Sequence, residues 1–154
     1  MKQFLTASIM GFFGALASLI SFSFHLPSWV LFLAWVSYYL FGKSIKSALQ
    51  TLPPLTFGIL MGITIKLFGG SLGDYLGSFG FPIAVFILIT SLSYLSKIKR
   101  LENIPAWFIG LIIFFGVHPK IELKPMIIIF ITIILGFVFA YLNDTMTRLI
   151  QKKK

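Results

Sequence analysis

Apolar residues run along the chain in six blocks, residues 4–20, 26–41, 48–68, 79–95, 104–117 and 125–142, each closed by Pro, Gly or charge. None of the blocks alternates polar and apolar positions as a half-buried strand does. A helix needs about 20 apolar residues, at roughly 1.5 Å of rise each, to cross bilayer hydrocarbon. The pattern therefore predicts an all-α fold: a polytopic membrane helical bundle of about six transmembrane helices, forming one integral membrane domain over residues 1–154. Lys2, the first apolar block and Ala15-Leu16-Ala17 also have the outline of a cleavable signal peptide, and the block is taken here as the first span. The fifth block is the shortest, and about 14 helical residues reach roughly 21 Å against about 30 Å of hydrocarbon. Such a helix is expected to thin the membrane locally or to lie partly among its neighbours.

The second and fifth blocks open alike, with Leu26-Pro27-Ser28-Trp29 and Ile104-Pro105-Ala106-Trp107, and the third and sixth open on Pro53-Pro54 and Pro125. These similarities divide the chain into two three-span halves, and halves with an odd number of spans sit in a membrane with opposite orientation. The expectation is a 3+3 inverted repeat. The same similarities also arise if Pro and Trp together simply mark helix starts at the interface, or if Pro54 and Phe57 pair with Pro105 and Phe108 in a parallel repeat.

Composition agrees with lipid as the main solvent. Of the 154 residues 58% are hydrophobic and 11% charged, more apolar surface than so small a soluble fold can hide. The net charge of +9 suggests topology and anionic headgroups rather than nucleic acid, because the eighteen Phe residues lack the basic interleaving of a base-stacking surface. With the N-terminus inside, Lys2, Lys43, Lys46, Lys97, Lys99, Arg100, Arg148 and Lys152 to Lys154 all face the cytoplasm. That leaves Lys66, Lys120 and Lys124 on or near the outer side, an asymmetry that predicts a bacterial inner-membrane protein with both termini cytoplasmic. Cysteine is absent, which excludes disulfides and thiolate chemistry.

Short or Pro-interrupted spans in two halves are the best sequence pointer to a transport path. The residues expected to line it are Trp29, Phe32, Thr56, Phe57, Trp107 and Phe108, an aromatic passage suited to small neutral solutes; for any single one of them, packing against lipid or a neighbour is the commoner role. Gly69, Gly73 and Gly77 recur every fourth residue, as do Gly58 and Gly62, and are expected to form helix-packing grooves, or, in the first case, a flexible outer loop or re-entrant turn. Lys66 is expected to snorkel to the outer interface, with Asp74 near enough to pair. His25 and His118 fall on the outer face, where a pair could sense external acidification, although an idle interfacial His is more common. Asp74, Glu102, Glu122 and Asp144 are all read as lying in loops or at span ends, which argues against ion coupling through a buried acid. No nucleophile with a base and no metal-ligand spacing appears, so neither catalysis, a metal nor a cofactor is expected.

Ser28-Trp29 with Phe32, Tyr38-Tyr39 and Gly42, followed by Pro105, Phe108-Ile109-Gly110 and Phe115-Gly116, resembles the small bacterial inner-membrane proteins of the YcdZ-like family, a domain of unknown function. The resemblance runs from Pro27 to Leu142 and implies a multi-span inner-membrane protein of this size, without a substrate or site residue. The functional expectation is a homo-oligomeric channel or facilitator for a small solute, in contact with membrane lipids. The alternative is a non-transporting subunit or regulator that binds a partner membrane protein.

Overall fold

The computed structural model describes residues 2–152, with side chains through residue 151. Met1, Lys153 and Lys154 lie outside the described residues, and with them the end of the predicted basic C-terminal cluster. Among the described residues there are six α-helices, α1 (Lys2–Ser23), α2 (Ser28–Leu40), α3 (Ile45–Leu76), α4 (Gly80–Leu95), α5 (Ile104–Val117) and α6 (Leu123–Lys152), and one 3-10 turn at Gly77–Phe79.

Three helical stretches are long and apolar enough to cross a membrane: Lys2–Ser23, Ile45–Leu95 and Leu123–Gln151. The chain is thus all-helical with the apolar lengths of a membrane protein. Its helix lengths do not give six full spans, because α2 has 13 residues and α5 has 14, each reaching only about 20 Å.

The element ends are set by local chemistry. Helix α5 begins where the Asn103 side chain accepts a hydrogen bond from the Ala106 amide at 3.2 Å, with Pro105 in the first turn. It ends at His118, which takes the left-handed conformation at φ 49°. The third span was expected over 48–68, but α3 runs on to Leu76. The helix runs through Gly69 and Gly73 and packs against the start of α4: a side chain on Gly69 would meet Phe81 and Ala84, and one on Gly80 would strike the Gly73 backbone, while a side chain on Gly73 itself would point into open space. The chain turns back at Gly77, which holds φ +57°, so α3 and α4 form an antiparallel hairpin rather than one rod. Pro53 and Pro54 lie inside α3, not at its start, and the sixth block likewise extends beyond residue 142, to Lys152.

The chain divides into two compact units, Met1–Ala48 with Glu122–Lys154, and Leu49–Ile121. In the first, α2 and α6 run parallel: Leu31 and Ala34 face Gly136, and further along both helices Tyr38 meets Asp144. A side chain on Gly136 would strike the Leu31 carbonyl, so glycine is what lets these backbones touch. Helix α1 joins through Phe13, whose ring meets Phe139 edge-on at 6.5 Å.

In the second unit α5 runs parallel to α3 in the same manner. A side chain on Gly58 would strike the Trp107 carbonyl, one on Gly110 would strike the Leu55 carbonyl, and the Phe114 ring fills the space beside Gly62. Met61, Ile65, Leu92, Leu101, Trp107 and Leu111 form its core.

The buried faces of the two short helices have one spacing. Val30, Leu31, Ala34, Trp35, Ser37 and Tyr38 on α2 follow steps of one, three, one, two and one, and so do Ala106, Trp107, Gly110, Leu111, Ile113 and Phe114 on α5. Any packed helix has such a stripe. More specific is that the register matching Leu31 to Trp107 and Ala34 to Gly110 also matches the backbone crossings, Gly136 on the first pair and Gly58 on the second.

Candidate functional site

A group of polar side chains in the first unit gathers where the end of α2 meets the C-terminal third of α6. Tyr38 Oη donates to Asp144 Oδ2 at 3.0 Å, and Arg148, one turn further along α6, pairs with the same oxygen at 2.7 Å. Arg148 also donates to the Lys43 carbonyl at 2.9 Å. Lys43 sits at φ 51° in the turn after α2, and its ammonium lies 5.4 Å from the Tyr39 ring centre. Asn143 Nδ2 donates to Tyr39 Oη at 2.6 Å, which closes the group.

Asp144 is 8% exposed, a carboxylate buried inside α6 rather than placed in a loop or at an end, so the expectation drawn for it from sequence is corrected. Its charge is tolerated because a guanidinium and a phenol both bond to it. The pair with Arg148 is electrically balanced, and it fastens the α2 turn to α6.

Beside this group stands a row of aromatic rings. Trp35 is stacked on Phe139 at 6.3 Å and 9° and on Phe32 at 6.1 Å and 25°. Trp35 is buried, and its Nε1 has no hydrogen-bond partner; the same is true of Asn143 Oδ1.

The residues predicted to line a path are distributed over both units. Trp29 and Phe32 lie on α2 of the first, each 38% exposed. Thr56, Phe57, Trp107 and Phe108 belong to the second, where the Phe57 ring lies 5.6 Å from that of Trp107 and Phe108 is exposed. Trp107 is 1% exposed and its indole donates to the Leu101 carbonyl at 2.9 Å, the position of a core anchor. The shared Pro-small-Trp motif therefore places its two tryptophans in different environments.

Of the glycines, Gly58, Gly62 and Gly69 face packed neighbours, while nothing lies near a side chain built on Gly73 or Gly77, although the Gly73 backbone carries the face of Gly80. His25 and His118 each take a left-handed backbone at a helix end, one in each unit. Lys66 and Asp74 are both exposed. Among the described residues no three His, Asp or Glu side chains come together as a metal site. The residues that reading the sequence missed are Trp35, Tyr39, Asn143 and the Tyr38–Asp144–Arg148 group. The four-residue spacing of Asp144 and Arg148, which puts both on one helical face, was the available signal.

Fold and site together define an all-helical protein with membrane-type apolar helices and a polar group buried in one of its two units. The family described as "Protein of unknown function (DUF1097)" matches residues 7–148, and the chain belongs to that family. No curated protein and no solved structure matches it.

Proposed function

We propose that this protein is a facilitator for a small uncharged solute in a bacterial inner membrane, crossing it six times as an inverted 3+3 repeat with both termini cytoplasmic. The observation that carries the reading is the shared crossing: a short helix parallel to a long one, in contact at Gly136 in one unit and Gly58 in the other. Each unit takes two helices from one half of the chain and its third from the other, α1 and α2 with α6, and α4 and α5 with α3. Parallel α2 and α6, and parallel α3 and α5, fit a chain in which every helix crosses, since both pairs then share a direction. Exchanged elements of this kind suit transporter repeats whose halves have opposite orientation.

The balanced Asp144–Arg148 pair leaves no free buried carboxylate to couple transport to an ion, which favours passive passage over pumping. In this reading the protein is not an enzyme and works as a homo-oligomer among lipids whose anionic headgroups meet its basic cytoplasmic loops. The path follows the Phe32–Trp35–Phe139 row rather than the Trp107 side chain, which is committed to its core. The competing reading, a non-transporting subunit, draws on Gly11 and Gly14 of α1, whose open faces suit a partner helix.

Flux in proteoliposomes separates the two. Faster entry of urea, small amides or water than in empty liposomes is the expected result. No flux of any of these or of monovalent ions, with a larger membrane complex co-purifying, overturns the facilitator reading in favour of the subunit.

A further inference from the structure

We infer that Trp35, Tyr39 and Asn143 form a binding site for a small neutral solute that carries a hydrogen-bond acceptor next to a donor, the chemistry of urea and simple primary amides. The inference rests on the facilitator reading for its role in transport, and on the geometry of the first unit for the site itself. Trp35 and Tyr39 stand one turn apart on α2, and Asn143 reaches Tyr39 from α6.

Trp35 is 5% exposed and Asn143 3%, yet Trp35 Nε1 and Asn143 Oδ1 are both buried without a partner. Buried polar atoms are nearly always paired, so a donor one helical turn from Tyr39 and an acceptor on the residue bonded to Tyr39, both left over, call for a ligand offering the opposite set. The Tyr39 oxygen already accepts from Asn143, which frees its own proton to be donated. Two donors, from Trp35 and Tyr39, suit one carbonyl oxygen, and Asn143 Oδ1 suits an adjacent N–H. That is the N–C=O arrangement of an amide or urea.

Charge limits the ligand further. The nearest carboxylate, Asp144, is already bonded to Arg148 and Tyr38, and the Lys43 ammonium lies over the Tyr39 ring face rather than among the Trp35, Tyr39 and Asn143 polar atoms, so these three residues themselves present only neutral donors and acceptors. Phe32 and Phe139 stacked on Trp35 hold the indole in one orientation and keep its N–H aimed at one place.

The test uses the full chain in lipid nanodiscs with 15N-labelled tryptophan, whose three indole N–H signals are assigned by replacing each Trp with Phe. On titration with acetamide or urea the Trp35 signal is expected to move saturably, while those of Trp29 and Trp107 stay, the latter already bonded to Leu101. Asn143→Leu is expected to abolish the shift, and Tyr39→Phe to weaken binding about tenfold. N,N-dimethylacetamide, which keeps the acceptor and lacks the donor, is expected to bind about tenfold more weakly than acetamide. If Asn143→Leu does not fold, Tyr39→Phe and the dimethyl analogue carry the test.

A Trp35 signal that does not move, that moves in step with the other two, or that shows contact only with water overturns the site. A saturable shift without proteoliposome flux keeps the site and overturns the facilitator reading. Flux without any Trp35 shift does the reverse.

Discussion

The two units use one crossing for different ends. In both, a short helix lies along a long one where a glycine lets backbone meet backbone, at Gly136 against Leu31 and at Gly58 against Trp107. Beyond that crossing they part. Where α2 presents Tyr38, α5 presents Phe114 at the matching step of its buried stripe. Where α6 presents Asn143 and Asp144, the same register on α3 brings Ile65, which is buried, and Lys66, which is exposed. Close packing is thus the shared scaffold, and the buried polar group is an addition made to one unit alone. Structure is carried by what the units have in common, and candidate chemistry by what they do not.

Breaking the purely apolar side of this comparison has the largest expected effect. Trp107→Ala removes the largest fully buried side chain of the second unit and leaves the Leu101 carbonyl unpaired. The expected loss is about 3–5 kcal/mol, read as a lowered midpoint of SDS or thermal unfolding in detergent. The opposite replacement, Trp29→Ala, is expected to alter solute flux while costing well under half as much stability.

Filling either crossing comes next. Gly58→Ala and Gly136→Ala each drive a methyl group into a backbone carbonyl, at an expected cost of about 1–3 kcal/mol by the same assay. The two are expected to cost similar amounts, because the crossings match. Gly14→Ala on α1, with open space around it, is expected to lie within about 0.5 kcal/mol of the parent chain or slightly above it.

The polar group gives a smaller change in stability than the tryptophan core or the filled crossings. Tyr38→Phe removes one hydrogen bond to Asp144 and is expected to cost about 1 kcal/mol, whereas Phe114→Tyr in the other unit buries a hydroxyl with no partner of this kind and is expected to cost at least as much. Equal tolerance of tyrosine at both positions, measured by unfolding midpoint, contradicts the claim that only one unit is built for polar chemistry.

Much of the helical layout was legible from hydropathy and punctuation. The fifth block, 104–117, coincides with α5, because Asn103 and Pro105 start it and His118 stops it with local chemistry. The end of α6 was not legible in the same way. An apolar window stops at Asn143, whereas the helix goes on to Lys152 with its polar residues facing Tyr38 and Tyr39. That partnership spans most of the chain and belongs to tertiary structure. The glycine-rich segment misled for a related reason, since glycine reads as a loop until Phe81, Ala84 and Gly80 supply the surfaces it packs on. The Pro-Trp motif predicted like roles for Trp29 and Trp107, but the packing register instead makes Trp107 the counterpart of Leu31, two positions further along α2 than Trp29.

The proposed inverted arrangement depends on whether the short helices cross the membrane. Because the chain contains no cysteine, single cysteines placed at His25, Ser44, Lys99 and Lys120 can each be labelled in intact cells with a membrane-impermeant maleimide without background. If every helix crosses, the cysteines at positions 25 and 120 are labelled from outside, and those at 44 and 99 are labelled only after the membrane is opened. Labelling of positions 25 and 44 from the same side contradicts the inverted arrangement, since α2 would then lie along the membrane instead of through it.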